Sequence, residues 1–297
     1  MGVRKRLKIG VHCSIRKGHK NALYEAYELG CSCLQMFTHS PRIWKFILPS
    51  EKEIEEFKLL RKQLGLSPLA IHTAYLPNPA SSIQEIYKKT RDLLLLEFEL
   101  AEMFSADYLV MHPGSYSEGK KIQDGLRQVV SCIDYCFEKT IAKFGNIHFK
   151  LLLENVCGNG RKIGRTFSEI AEIIFRSKFP KKIGICIDTA HAFAFGYNIT
   201  TEEGISELLY EIKTNIGHKK IMLIHLNDTT SPLGSRIDRH YHIGKGCIGI
   251  EGFKTILRYF AEYPLLLETP KETSFDRVSP YDKKNLDMVR NLITHSQ

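Results

Sequence analysis

Ile185-Cys186-Ile187-Asp188 is an apolar run that ends in a carboxylate. Five other stretches are built the same way: Ala70-Ile71-His72, Leu109-Val110-Met111-His112, Leu151-Leu152-Leu153-Glu154, Met222-Leu223-Ile224-His225 and Leu265-Leu266-Leu267-Glu268. A short run that is apolar on both faces reads as a parallel strand covered on both sides. Its last position lies at the carboxyl end of the sheet, where parallel α/β folds gather their chemistry. One histidine or carboxylate there is an ordinary strand ending, whereas six along one chain point to a shared site.

Working outward from these runs, periodicity predicts strands at 8–14, 32–38, 69–74, 107–112, 148–154, 183–188, 221–226 and 264–268. Each is followed by a helical pattern, at 18–29, 50–64, 81–104, 118–144, 166–177, 200–215, 250–262 and 282–294. Ser50 with Glu53, and Thr166 with Glu169, mark two helix starts of the capping-box kind. Eight alternating units predict a closed parallel barrel, the α/β (β/α)8 TIM barrel, as a single domain over residues 1–297 with its site at the C-terminal ends of the strands. An open doubly wound sheet is the alternative if one or two strands fail to form. Asn227 to Gly249 has little apolar periodicity yet holds Asp238-Arg239-His240, and a loop of that length in a compact domain is usually functional.

The chain has 297 residues, 43% of them apolar, enough for one large core, and no low-complexity tract or fixed-period repeat. Lys and Arg total 42 against 33 acids, a formal charge of +9, which suits a polyanionic partner. Eight cysteines without a C-x-x-C pair read mostly as buried free thiols of a reducing compartment. The basic start Met1-Gly2-Val3-Arg4-Lys5-Arg6 lacks the apolar stretch of a signal peptide, and no eighteen-residue apolar run exists. A cytoplasmic protein with no membrane partner is expected. With no exposed apolar stripe in the pattern, a monomer is expected as well.

Collected from strand ends and loops, the candidate metal ligands are His72, His112, Glu154, Asp188, His191, His225, Asp238, His240 and Glu268. Five imidazoles and four carboxylates with no thiolate suit Zn2+ first and Mn2+ second, rather than Ca2+ or a cysteine-bound structural zinc. A catalytic zinc takes about three protein ligands, so nine ligands with shared carboxylates predict three ions. Glu154 and Asp188, central in the strand order, are the expected bridges. His19, His39, His148, His218 and His295 read as surface or loop residues, and His242 as a neighbour of the site. His12 ends the first strand and reads either as a support for the ligands or as a core hydrogen-bonding group.

The ordered set of motifs carries a resemblance. His72-x-x-Tyr75-Leu76-x-Asn78, His112-Pro113-Gly114-Ser115, Leu153-Glu154-Asn155, Cys186-Ile187-Asp188-Thr189-x-His191-Ala192-Phe193, His225-Leu226-Asn227-Asp228, Gly234-Ser235-x-x-Asp238-Arg239-His240, Gly244-x-Gly246-x-Ile248-Gly249 and Leu267-Glu268-Thr269 together resemble the endonuclease IV family of apurinic/apyrimidinic (AP) endonucleases. The match runs from Ile9 to Glu268. The resemblance implies a (β/α)8 barrel, a trinuclear zinc cluster on the nine residues above, and base-excision DNA repair. The implied reaction cuts double-stranded DNA on the 5′ side of an abasic sugar, leaving 3′-hydroxyl and 5′-deoxyribose phosphate ends, with cleaning of blocked 3′ ends as a second activity. Phe37-Thr38-x-x-Pro41-Arg42-x-Trp44 matches a segment whose arginine enters the base stack at the lesion, and Tyr75 and Leu76 match residues that press into the minor groove. A guanidinium and an apolar wedge there would replace lost base stacking. Ala190, Thr230 and Ile43 depart from the common pattern, in which a cysteine, a lysine and a glutamine are frequent.

The predicted chemistry is metal-assisted phosphodiester hydrolysis, with Glu154 bridging and positioning the nucleophile and Glu268 ligating and helping to orient or deprotonate it. The competing enzyme class is a metal-dependent sugar isomerase or epimerase, since related barrels gather the same residue types. It has no use for Arg42-x-Trp44 or Tyr75-Leu76 on the rim. A non-enzymatic DNA-binding barrel is the third possibility, and a complete ligand set counts against it.

Overall fold

The computed structural model describes residues 7–272 and 278–295; Met1 to Arg6 lie outside the described residues. The first seven strands are β1 (Ile9–Val11), β2 (Leu34–Met36), β3 (Leu69–His72), β4 (Tyr108–Met111), β5 (Lys150–Glu154), β6 (Ile183–Asp188) and β7 (Ile221–His225). A short antiparallel pair follows, β8 (Asp228–Thr229) with β9 (His240–Tyr241), and then β10 (Leu265–Leu267). β1 to β7 and β10 run parallel in the order β1-β10-β7-β6-β5-β4-β3-β2. The ring closes between β1 and β2 through a parallel bridge of His12 with Gln35, and the Cys13 amide donates to the Gln35 carbonyl at 2.7 Å. This is the expected (β/α)8 barrel.

The helices are α1 (His19–Glu28), α2 (Glu51–Leu64), α3 (Gln84–Met103), α4 (Ile122–Phe144), α5 (Phe167–Arg176), α6 (Thr189–Phe195), α7 (Glu202–Asn215), α8 (Gly249–Phe260) and α9 (Pro280–His295). The eight expected helices are present, and α6 is an unexpected ninth among the described residues. At seven residues it is too short to show a helical period, and six of the seven, His191 among them, are buried. Both predicted N-caps form, with Ser50 Oγ accepting from the Glu53 amide and Thr166 Oγ1 from the Glu169 amide. The two glutamates do not return the bond. Glu53 meets His19 at 2.7 Å, and Glu169 takes the Gly164 amide and the Arg165 guanidinium.

Strand alternation explains what the barrel interior holds. Cys33, Ala70, Val110, Leu152, Cys186, Leu223 and Leu266 form one buried apolar cluster, separate from the larger layer between strands and helices. Gly10 completes this inner ring, because a Cβ there would meet the Cys33 carbonyl oxygen at 1.9 Å. Side chains two residues apart on a strand share a face. The next inward position on the eight strands is therefore His12, Gln35, His72, His112, Glu154, Asp188, His225 and Glu268. An apolar ring fills the barrel, and a polar ring lies directly above it. All eight cysteines are free and all but Cys247 are buried. No helix among the described residues is long and apolar enough to cross a membrane.

Candidate metal centre

The polar ring converges into three groups of potential ligands. His72, His112 and Glu154 form one; Asp188, His191 and His240 a second; Glu154, Asp188, His225 and Glu268 a third. Within each, the ligand atoms lie within 4.8 Å of one another. Glu154 is common to the first and third groups and Asp188 to the second and third, so the two central carboxylates join three compartments. Asp238 lies beside the second group, its Oδ2 3.1 Å from His191 Nε2 and its Oδ1 3.5 Å from His240 Nε2. The structure thus brings all nine candidates together.

Glu154 is fully buried, with His72 and His112 Nε2 each 3.1 Å from Oε2 and His225 Nδ1 3.1 Å from Oε1. Burial alone would raise the carboxyls and lower the imidazoles. The opposite charges across the ring overcome it. Glu154, Asp238 and Glu268 are held below the usual carboxylate range, while His72, His191 and His225 are raised. The imidazoles hold protons where divalent cations would compete for the same lone pairs.

The donor set fits divalent metal ions. The buried His240 Nε2 has no hydrogen-bond partner, although Asp188 Oδ2 and Asp238 Oδ1 each lie 3.5 Å away. Three of the other ligand histidines have an outer ring nitrogen already engaged. His72 Nδ1 donates to the Thr73 carbonyl at 2.8 Å, His191 Nδ1 to the Asn155 carbonyl at 3.0 Å, and His225 Nε2 to Gln35 Oε1 at 2.9 Å. Such outer bonds fix the tautomer and the ring orientation of metal-binding histidines.

Three residues support the ligands; Gln35 was not singled out from sequence, and Asn155 and Asn227 appeared there only within motifs, without a role. Gln35 Nε2 donates to Glu268 Oε1 at 2.6 Å while its Oε1 holds His225. Asn227 Nδ2 donates to Asp188 Oδ2 at 2.7 Å, and its Oδ1 accepts from the Glu268 amide at 2.7 Å. Asn155 brackets Asp188 through both its amide and its carbonyl. A polar Gln35 in the apolar run Leu34-Gln35-Met36 was the available signal. His12 lies 3.5 Å from Glu268 and 3.0 Å from Gln35, on the supporting side of the ring.

Asp238 and His240 arrive on the long connection after β7. Its β8–β9 hairpin gives order to what read as loop, and the buried Asp228 anchors it by accepting from the amides of Thr229, Gly246 and Ile248 at 2.8 to 3.0 Å. Asp188 caps α6 by accepting from the His191 amide at 2.7 Å, so one residue sets the direction of its own carboxylate and of His191.

On the rim, Arg42 and Tyr75 are exposed. The Tyr75 amide donates to the Pro41 carbonyl at 3.1 Å, and its ring meets Phe37 edge-on at 5.3 Å. Phe37 lies 4.4 Å from the His12 ring, linking the rim to the polar ring below. Leu76, Lys162, His72, His112 and Asp238 share a cavity of about 410 Å3. His39, expected as a surface or loop residue, lies in a loop but is buried against Glu97. His148 is exposed, His242 packs on Tyr281, and the His295 side chain lies outside the described residues.

Fold and site together define a class: a family model described as a xylose isomerase-like TIM barrel matches residues 23–292. Within that class, the chain belongs to the endonuclease IV family. It is 40% identical over 268 residues to the probable endonuclease 4 of Thermosipho melanesiensis, covering 89% of this chain and 92% of that protein. The crystal structure of endonuclease IV from Thermus thermophilus superposes with a TM-score of 0.83 at 30% identity, covering 97% of this chain and 99% of that one. A D-tagatose 3-epimerase-like protein superposes with a TM-score of 0.72, but at 20% identity that likeness shows the barrel alone.

Proposed function

We propose that this protein is an AP endonuclease of DNA repair. In this reading it binds three divalent ions, zinc in preference to manganese, and hydrolyses the phosphodiester 5′ to an abasic site. The supporting observation is the division of eight ligands into three groups joined by Glu154 and Asp188, with Asp238 beside the second. A sugar isomerase or epimerase, which needs one or two ions, would not need a third group. The relatives named endonuclease 4 support the nuclease side of the proposal.

His72, His112 and Glu154 would hold one ion, Asp188, His191, Asp238 and His240 a second, and Glu154, Asp188, His225 and Glu268 the third. When bound, such ions supply Lewis acidity toward phosphoryl oxygens and bring the pKa of water near neutrality. Glu154, shared by two groups, would position the attacking oxygen. Glu268, fixed by Gln35, orients that oxygen or accepts its proton. Arg42 fills the gap in the base stack, and Tyr75 and Leu76 wedge the minor groove so that the abasic sugar swings into the cavity. The formal charge of +9 favours the duplex phosphates. The same centre serves 3′-end cleaning, and the protein acts as a monomer.

The test is incision of a duplex carrying one abasic-site analogue beside its intact counterpart. Incision only at the lesion, lost on chelation and restored by zinc, is expected. No incision by fully metal-loaded protein would turn attention to sugar isomerisation.

A further inference from the structure

Helix α3 carries a buried carboxylate that takes no part in the metal centre. Glu97 is 1% exposed, and its Oε1 accepts from the Ala74 amide at 2.6 Å and from His39 Nε2 at 3.1 Å. Ala74 immediately precedes Tyr75, and His39 lies three residues before Arg42. The other His39 nitrogen donates to the Ser40 carbonyl at 2.9 Å, and the ring stacks on Phe46 at 3.8 Å with 6° between planes. The His39 ring therefore holds both ends of segment 39–46, while Glu97 holds that segment and the Tyr75 turn together. Between those ends Arg42, Ile43, Trp44 and Lys45 are all exposed and bring little packing of their own.

A buried carboxylate is costly unless bonded; the two bonds that Glu97 makes, both through Oε1, run to the two rim loops, while its buried Oε2 has no hydrogen-bond partner. We propose that His39 and Glu97 are positioning residues that fix the spacing between Arg42 and the Tyr75-Leu76 wedge, and through it the discrimination of abasic from intact DNA. This rests on the DNA reading above. A stacking side chain on one loop and a wedge on another act on the same lesion only if their separation is set before binding, because misplacement by about 1 Å can cost a hundredfold.

Trp44 is the only tryptophan in the chain and sits inside the held segment, so its fluorescence reports the loop without any substrate. Glu97→Gln and His39→Gln would each be compared with the unsubstituted protein by acrylamide quenching of Trp44, by KM and kcat on abasic duplex, and by bound metal. The quenching constant is expected to rise about twofold as the segment loosens. KM is expected to rise about tenfold, with kcat and metal content within about twofold of the parent. Unchanged quenching and KM in both variants would overturn the proposal, as would a joint fall of kcat and metal content at constant KM. If the parent protein incises nothing, the nuclease reading fails and the quenching result alone decides whether the pair holds the loops.

Discussion

Gln35→Met tests whether the ring beneath the metal groups is a support or merely a neighbour. The substitution keeps the volume of a fully buried side chain and removes its 3.0 Å bond to His12 together with its two bonds to the third group, the 2.6 Å donation to Glu268 Oε1 and the 2.9 Å acceptance from His225 Nε2. A bond to a charged group contributes about 1.5–3 kcal/mol and a neutral one about 1 kcal/mol, so roughly 2.5–4 kcal/mol of positioning energy is lost across the third group. Bonds of this kind change metal affinity by about 10- to 100-fold, or about 1.4–2.8 kcal/mol. The difference between the two ranges is what rearrangement of His12 toward Glu268 would recover. Competition against a chromophoric zinc chelator reads the affinity directly. Cys33→Ala, one inward step below, is the control and should leave it unchanged. Affinity within about twofold of the parent for Gln35→Met would refute the supporting role.

Glu154→Ala removes the carboxylate shared by two groups, and cleavage of abasic duplex should fall at least about a thousandfold while DNA binding survives in part; full activity would refute bridging. Arg42→Ala should weaken the preference for abasic over intact duplex more than it slows turnover of bound substrate, checked by binding titrations beside single-turnover rates. The chelated protein should be most stable in mildly acidic solution. His191 and His225 are raised above 6.5, so their contribution is present below that value and lost as pH rises through their folded pKa values. Glu154 and Glu268 are depressed below 4.5, so theirs is present above that value and lost as pH falls. Thermal melts from pH 4 to 9 should show a maximum between these limits, and zinc should move it upward because binding displaces the imidazole protons.

Much of this architecture was legible because strand burial and strand endings are local signals. An apolar run closing on His, Asp or Glu displays both the strand and the ligand within four residues, as Leu151 to Glu154 does. Gln35 was harder, since its meaning depends on His225 and Glu268, 190 and 233 residues away along the chain. His39 sits among polar loop residues, and only the fold brings Glu97 of α3 over it. α6 left no period to read, and the β8–β9 hairpin has two residues per strand, too few for alternation to show. Missing from the sequence pattern were the long-range bonds that turn a list of ligands into a fixed array.

Crystals of the zinc-loaded protein, with anomalous differences collected on both sides of the zinc absorption edge, would locate the ions directly. Three anomalous peaks are expected, one against each group, with Glu154 and Asp188 each touching two of them. One peak, or two with either carboxylate unshared, would contradict the trinuclear centre on which the proposed chemistry depends.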